Sequence, residues 1–93
     1  MEPSRMKLDE IKSQLETLKW QDEVGLVYKC YIALRPISVR QLAIKLDKSK
    51  TWIQTSLTIA RAMDEHPSLK ECNNRYEAYQ EILRLNRMRD FLR

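Results

Sequence analysis

The stretch Ile37-Ser38-Val39-Arg40-Gln41-Leu42-Ala43-Ile44-Lys45-Leu46-Asp47-Lys48-Ser49-Lys50-Thr51-Trp52-Ile53 decides how this chain reads. Ser38 followed three residues later by Gln41 is a capping box, in which the Ser38 hydroxyl accepts from the Gln41 amide and the Gln41 side chain accepts from the Ser38 amide. Ile37 and Leu42 fall at the positions of a hydrophobic staple. The helix so opened is short, burying Leu42, Ala43 and Leu46 before Asp47 to Ser49 break it. Ser49 then caps a further helix with an inner stripe of Ile53, Leu57, Ala60 and Met63. Two short helices joined by such a turn, the second opening with polar residues over an apolar stripe, meet the physical description of a helix-turn-helix over about residues 38–62. Ala43 is small because the second helix is expected to cross close to it. Asp47 stands where a left-handed backbone usually takes Gly, and Asp tolerates that conformation better than most residues.

Working outward, Leu8, Ile11, Leu15 and Leu18 recur at three- and four-residue spacing and predict a first helix after a polar start around Pro3 and Ser4. A second runs from Gln21 through Val24, Val27, Tyr28, Tyr31 and Leu34, and must end near Arg35 because Pro36 disfavours the helical conformation in its predecessor. Asp22 and Glu23 lie in its first turn, where the helix dipole favours acids. Gly25 inside it costs about 1 kcal/mol relative to Ala, which a close helix crossing would explain. Downstream, Pro67 ends the fourth helix. Ser68 with Glu71 reads as another capping box, opening a short helix with Leu69 and Cys72 inward. Asn74 with Glu77 opens a last helix through Tyr76, Tyr79, Ile82, Leu83 and Met88. These elements predict an all-α fold, a compact bundle of five to six helices forming a single domain over 1–93, with a C-terminal helical extension at about 74–92. A single Gly and three Pro leave too little turn chemistry for a chain of hairpins.

The formal net charge of +4 is unevenly placed. Residues 1–30 sum to −1, residues 31–60 to +4 and residues 61–93 to +1, and Asp47 is the only acid of the middle third. A local positive face is the footprint of a polyanion binder. It coincides with the capped helix pair. Beside and opposite the Ile53 stripe stand Lys50, Thr51, Gln54, Thr55 and Thr58, donors and acceptors short enough to reach base edges. Gln pairs bidentately with adenine, Thr offers a hydroxyl and a methyl, and Lys serves guanine or a phosphate.

The same run resembles the central helix-turn-helix of ParB-like partition proteins, with Lys48-Ser49-Lys50-Thr51-Trp52 as the entry to the recognition helix. Upstream, Leu18-Lys19-Trp20-Gln21-Asp22-Glu23 is similar to the start of the preceding helix in that family. Downstream, Ala60-Arg61-Ala62-Met63-Asp64-Glu65-His66-Pro67-Ser68-Leu69 and Tyr76-Glu77-Ala78-Tyr79 look like the segment that follows in plasmid and phage relatives. The resemblance covers roughly residues 18–85. It implies recognition-helix positions at Ser49, Lys50, Thr51, Trp52, Gln54 and Thr55, with phosphate contacts from Arg40, Lys48 and Arg61. Ser38 and Thr58 complete the expected DNA-binding set. Trp52 has two alternatives, lying against sugar-phosphate or a thymine methyl, or packing back onto the third helix. Such proteins usually carry an N-terminal nucleotide-binding or nuclease-like domain and a separate C-terminal dimerisation domain. This chain has neither the residues nor the length for them, so sliding-clamp and CTPase behaviour are not implied.

The expected partner is therefore double-stranded DNA, probed at a palindromic site if the apolar residues Leu85, Phe91 and Leu92 join two copies through the C-terminal helix. The place implied is cytoplasmic, on nucleoid or plasmid, in partition or transcription regulation. The competing class is a helical protein-interaction module that uses the basic face on an acidic partner. RNA binding is disfavoured because exposed aromatics are too few to stack unpaired bases. No cofactor, metal or membrane association is expected: Cys30 and Cys72 have no C-x-x-C spacing, one His cannot complete a zinc site with them, and no run approaches the roughly 20 apolar residues of a span. Both cysteines read as small buried hydrophobes and reduced thiols. His66 reads as a solvated helix end, and with no second His or paired acids an enzyme is not expected.

Overall fold

The computed structural model describes residues 8–91, and it is an all-α bundle. Five α-helices, α1 (Leu8–Thr17), α2 (Trp20–Ala33), α3 (Val39–Leu46), α4 (Lys50–Glu65) and α5 (Arg75–Phe91), are joined by short connections, with a 3-10 helix at Pro67–Glu71. No strand occurs among the described residues. Pro3, Ser4 and Leu92 lie outside the described residues, as do the side chains of Leu8 and Phe91.

Local chemistry sets most of the boundaries. Ahead of Pro36, α2 stops at Ala33, and the Leu34 amide closes it on the Cys30 carbonyl. The capping box of α3 is formed in both directions, Gln41 N–H to Ser38 Oγ at 3.1 Å and Ser38 N–H to Gln41 Oε1 at 3.1 Å. Ser49 caps α4 by accepting from the Trp52 amide at 3.0 Å. Between the two helices Asp47 adopts φ 57°, ψ 46°, the left-handed conformation for which its position called, and it is the one non-glycine residue with positive φ among those described. The Lys48 amide then reaches back to the Ala43 carbonyl at 2.9 Å, which satisfies an end carbonyl of α3 and turns the chain into α4.

Two apolar clusters hold the bundle. The first joins Ile11 and Leu15 of α1, Val27 and Cys30 of α2, Leu42, Ala43 and Leu46 of α3, and Ile53 and Leu57 of α4. The second joins Val24 of α2, Ile59 of α4, Leu69, and Ala78 and Ile82 of α5. The start of α2 and the far half of α4 thus share one cluster, while the end of α2 and the near half of α4 share the other. Each valine, leucine and isoleucine among them, once removed from water, contributes about 1.5–3 kcal/mol. Ala60 and Met63, expected on the inner stripe of α4, are half-buried, whereas Ser56 and Ile59, off that stripe, are fully buried. The cause is the second cluster, which covers a face of α4 adjoining the Ile53 stripe.

Three further expectations are corrected. A Cβ built on Gly25 meets nothing within 4 Å, so no close crossing requires the glycine. Gly25→Ala is accordingly expected to stabilise the fold by about 0.5–1 kcal/mol, and urea denaturation showing a lower midpoint would contradict this. Ser68 does not cap: Pro67, preset for the first helical position, makes His66 the N-cap and places Ser68 inside the first turn of the 3-10 helix. In α5 the buried register is Ala78 and Ile82, with Tyr79 and Leu83 half-buried, whereas Tyr76 and Met88 are exposed. Asn74 does accept from the Glu77 amide at 2.9 Å, but the Glu77 carboxylate returns to Asn73, one residue earlier than a capping box would have it.

Candidate nucleic-acid interface

At about 100° per residue, burying Ile53, Ser56, Leu57 and Ile59 turns Lys50, Thr51, Gln54, Thr58 and Arg61 outward, and all five are exposed. Thr55 is half-buried at the edge of the same face. From Lys50 to Met63 this helix carries no acid, so the face has no charge to repel phosphate. Arg40 is exposed on the first turn of α3, and Lys48 is half-buried in the turn. The structure gathers Thr51, Gln54, Thr55, Thr58 and Arg61 along one groove, together with Val39, Tyr31 of α2 and Tyr79 of α5.

Several expected site residues also do structural work. The Ser38 and Ser49 oxygens are occupied as helix caps. The Thr58 hydroxyl donates to the Gln54 carbonyl at 2.9 Å. Trp52 is half-buried: it packs against the first cluster and also lines a groove with Ser49, Thr51 and Tyr76. The Lys48 ammonium lies 5.1 Å from its ring centroid and the Arg75 guanidinium 4.2 Å from it, both within cation–π range.

Arg75 is the residue that sequence reading missed. From the first turn of α5 its guanidinium donates to Glu23 Oε1 of α2 at 2.6 Å, to the Trp52 carbonyl of α4 at 3.1 Å, and to the Ser56 hydroxyl. Ser56 in turn donates to the Trp52 carbonyl at 2.8 Å. Burial pulls the guanidinium below its ordinary value, while the charge of Glu23 and its hydrogen bond work to raise it. One cation therefore ties three helices together behind the entry to α4. A signal for it existed, since Ser56 falls three residues after Ile53, on the inner side, where a hydroxyl needs a partner.

Burial pushes the Cys30 thiol up, and the Cys72 thiol is raised by burial and then by the negative charges of Glu77, Glu81 and Glu71. Both are free thiols, Cys30 buried as expected and Cys72 only half-buried. Among the described residues no group of three or more His, Cys, Asp or Glu is placed to hold a metal ion, and no helix is long and apolar enough to cross a membrane. His66 closes α4 through its amide, which donates to the Ala62 carbonyl at 2.7 Å. Comparison of the chain with protein-family models, with curated proteins and with solved structures returned no match.

Proposed function

We propose that this chain binds double-stranded DNA in a sequence-specific manner through a ParB-like helix-turn-helix formed by α3 and α4, in partition or transcription regulation. The observation that carries the reading is the outer face of α4, where Lys50, Thr51, Gln54, Thr58 and Arg61 stand exposed with no acid among them. The capped helices and the left-handed Asp47 hold that face at a fixed angle to α3, as a helix entering a major groove requires. In this reading Lys50 and Gln54 contact base edges, and Arg40 and Arg61 contact phosphates. The caps Ser38 and Ser49 and the packed Trp52 support the reading helix from behind.

Selection of bound sequences from a random duplex library tests it directly. A recovered consensus is expected, and a palindromic one would carry the proposed pairing of two copies through α5. Affinity should fall steeply with salt, each neutralised phosphate adding about −0.9 to the logarithmic slope. No duplex binding at low salt, with binding of polyglutamate instead, would move the basic face to an acidic protein partner.

A further inference from the structure

The exposed face of α4 lines a groove shared with residues of α2, α3 and α5. Around the helix, Leu57 borders this face on one side and Thr55 on the other, with Thr51, Gln54, Thr58 and Arg61 between them. Leu57 belongs to the cluster that takes in α3, and Ile59, beyond Thr55, to the cluster that takes in α5, while α2 contributes to both. The two flanks therefore rise on opposite edges of the face. Each carries tyrosine: Tyr31 near the end of α2 and Tyr79 on α5 both line the groove over α4. On the α5 side Tyr79 continues to Tyr76, which is 70% exposed, along a groove that reaches Ser49. On the α2 side Tyr31 continues to Arg35, whose guanidinium lies 5.8 Å from the Tyr31 ring centroid.

The rings of Tyr31 and Tyr79 are half-buried against the first and second clusters respectively, so their positions are held by packing. Their hydroxyls make no hydrogen bond to any described residue, nor does that of Tyr76. Among the described residues no buried side-chain polar atom lacks a partner, so these hydroxyls are not fully buried. Anchored rings with free phenol donors on both sides of one acid-free helix face make a neutral anion-contacting rim.

We propose that Tyr31 with Arg35 on one flank, and Tyr76 with Tyr79 on the other, contact the two sugar-phosphate backbones on either side of α4. This rests on the duplex-binding reading. A helix about 10–12 Å across with its side chains fills a major groove about 12 Å wide. Residues rising from its flanks consequently meet phosphates and not base edges. Such contacts set the depth and register of α4 and carry no sequence information.

Salt titration separates these contacts from charged ones. Tyr31→Phe and Tyr79→Phe keep the ring packing, and Tyr76→Ala changes an exposed side chain, so helical circular dichroism should match the wild type. Each is expected to weaken binding about 10- to 100-fold, the loss of one hydrogen bond to a charged acceptor. The loss should be equal on random duplex and on the selected duplex, with the salt slope unchanged because no cation is removed. Arg35→Ala should instead flatten the slope by about 0.9. Wild-type affinity of all three tyrosine variants, with duplex binding by the wild type intact, overturns this inference alone. A loss confined to the selected duplex overturns it too, because it would make the tyrosines base readers. Absence of duplex binding by the wild type fails the underlying reading, whatever the tyrosines do.

Discussion

Replacing Arg75 with Ala is expected to destabilise the protein by about 3 kcal/mol, a fall of roughly 12–24 °C in Tm for a domain of this size. The reason is the charge left behind. The Arg75 and Glu23 side chains are 19% and 16% exposed, so water screens the pair only partly. Without the guanidinium the Glu23 carboxylate stays between helices with no partner, which costs more than the pair itself contributes. The stacking of the guanidinium over the Trp52 ring is lost as well. Ser56 and the Trp52 carbonyl still hold each other, so no second group is orphaned. It follows that the double variant Arg75→Met, Glu23→Met should recover most of the loss and come within about 1 kcal/mol of the wild type, since neither charge remains to be desolvated. Thermal denaturation of the three proteins decides it. Equal destabilisation by the single and double variants would mean that Arg75 acts by packing alone.

The second large effect falls on recognition. Lys50→Ala combined with Gln54→Ala is expected to weaken binding to the selected duplex by roughly 10- to 100-fold, because a good side-chain pair with a base edge supplies about 1–3 kcal/mol of discrimination. Random duplex, which offers only phosphates, should lose a few-fold at most, through Lys50. Both residues are exposed on α4, so stability should stay within about 0.5 kcal/mol of the wild type. Binding isotherms on the two duplexes make the comparison. Equal loss on both would assign the pair to phosphate contact and leave base reading to Thr51 and Thr58.

How far the sequence could be read depended on the range of the interaction. Ser38 with Gln41, Ser49 before its helix, and Pro36 and Pro67 beyond theirs act on backbone groups within four residues, so spacing alone located the ends of α2, α3 and α4. Asp47 was legible for the same reason, because two helices that close together leave room for one left-handed residue between them. Ser68 failed as a cap on a local detail, the preset backbone of Pro67 having already taken the first helical position. Periodicity found Ile53 and Leu57 but passed over Ile59 and Ser56, since a single stripe has no room for a second neighbouring element. Gly25 was misread likewise: what a missing Cβ faces depends on how α1 and α2 cross.

From the sequence alone came the all-α class, the order of the helices, the capped pair with its left-handed turn, and the concentration of positive charge on residues 31–60. Each is fixed by propensity, capping or composition within a few residues of chain. Only tertiary structure decided that Glu23, Trp52, Ser56 and Arg75 meet, and that Tyr31 and Tyr79 line one groove with the outer face of α4. The Arg75–Glu23 bond spans 52 positions of chain. A partner that distant is chosen by which apolar faces bury one another, and the polar groups carried alongside are paired as a result.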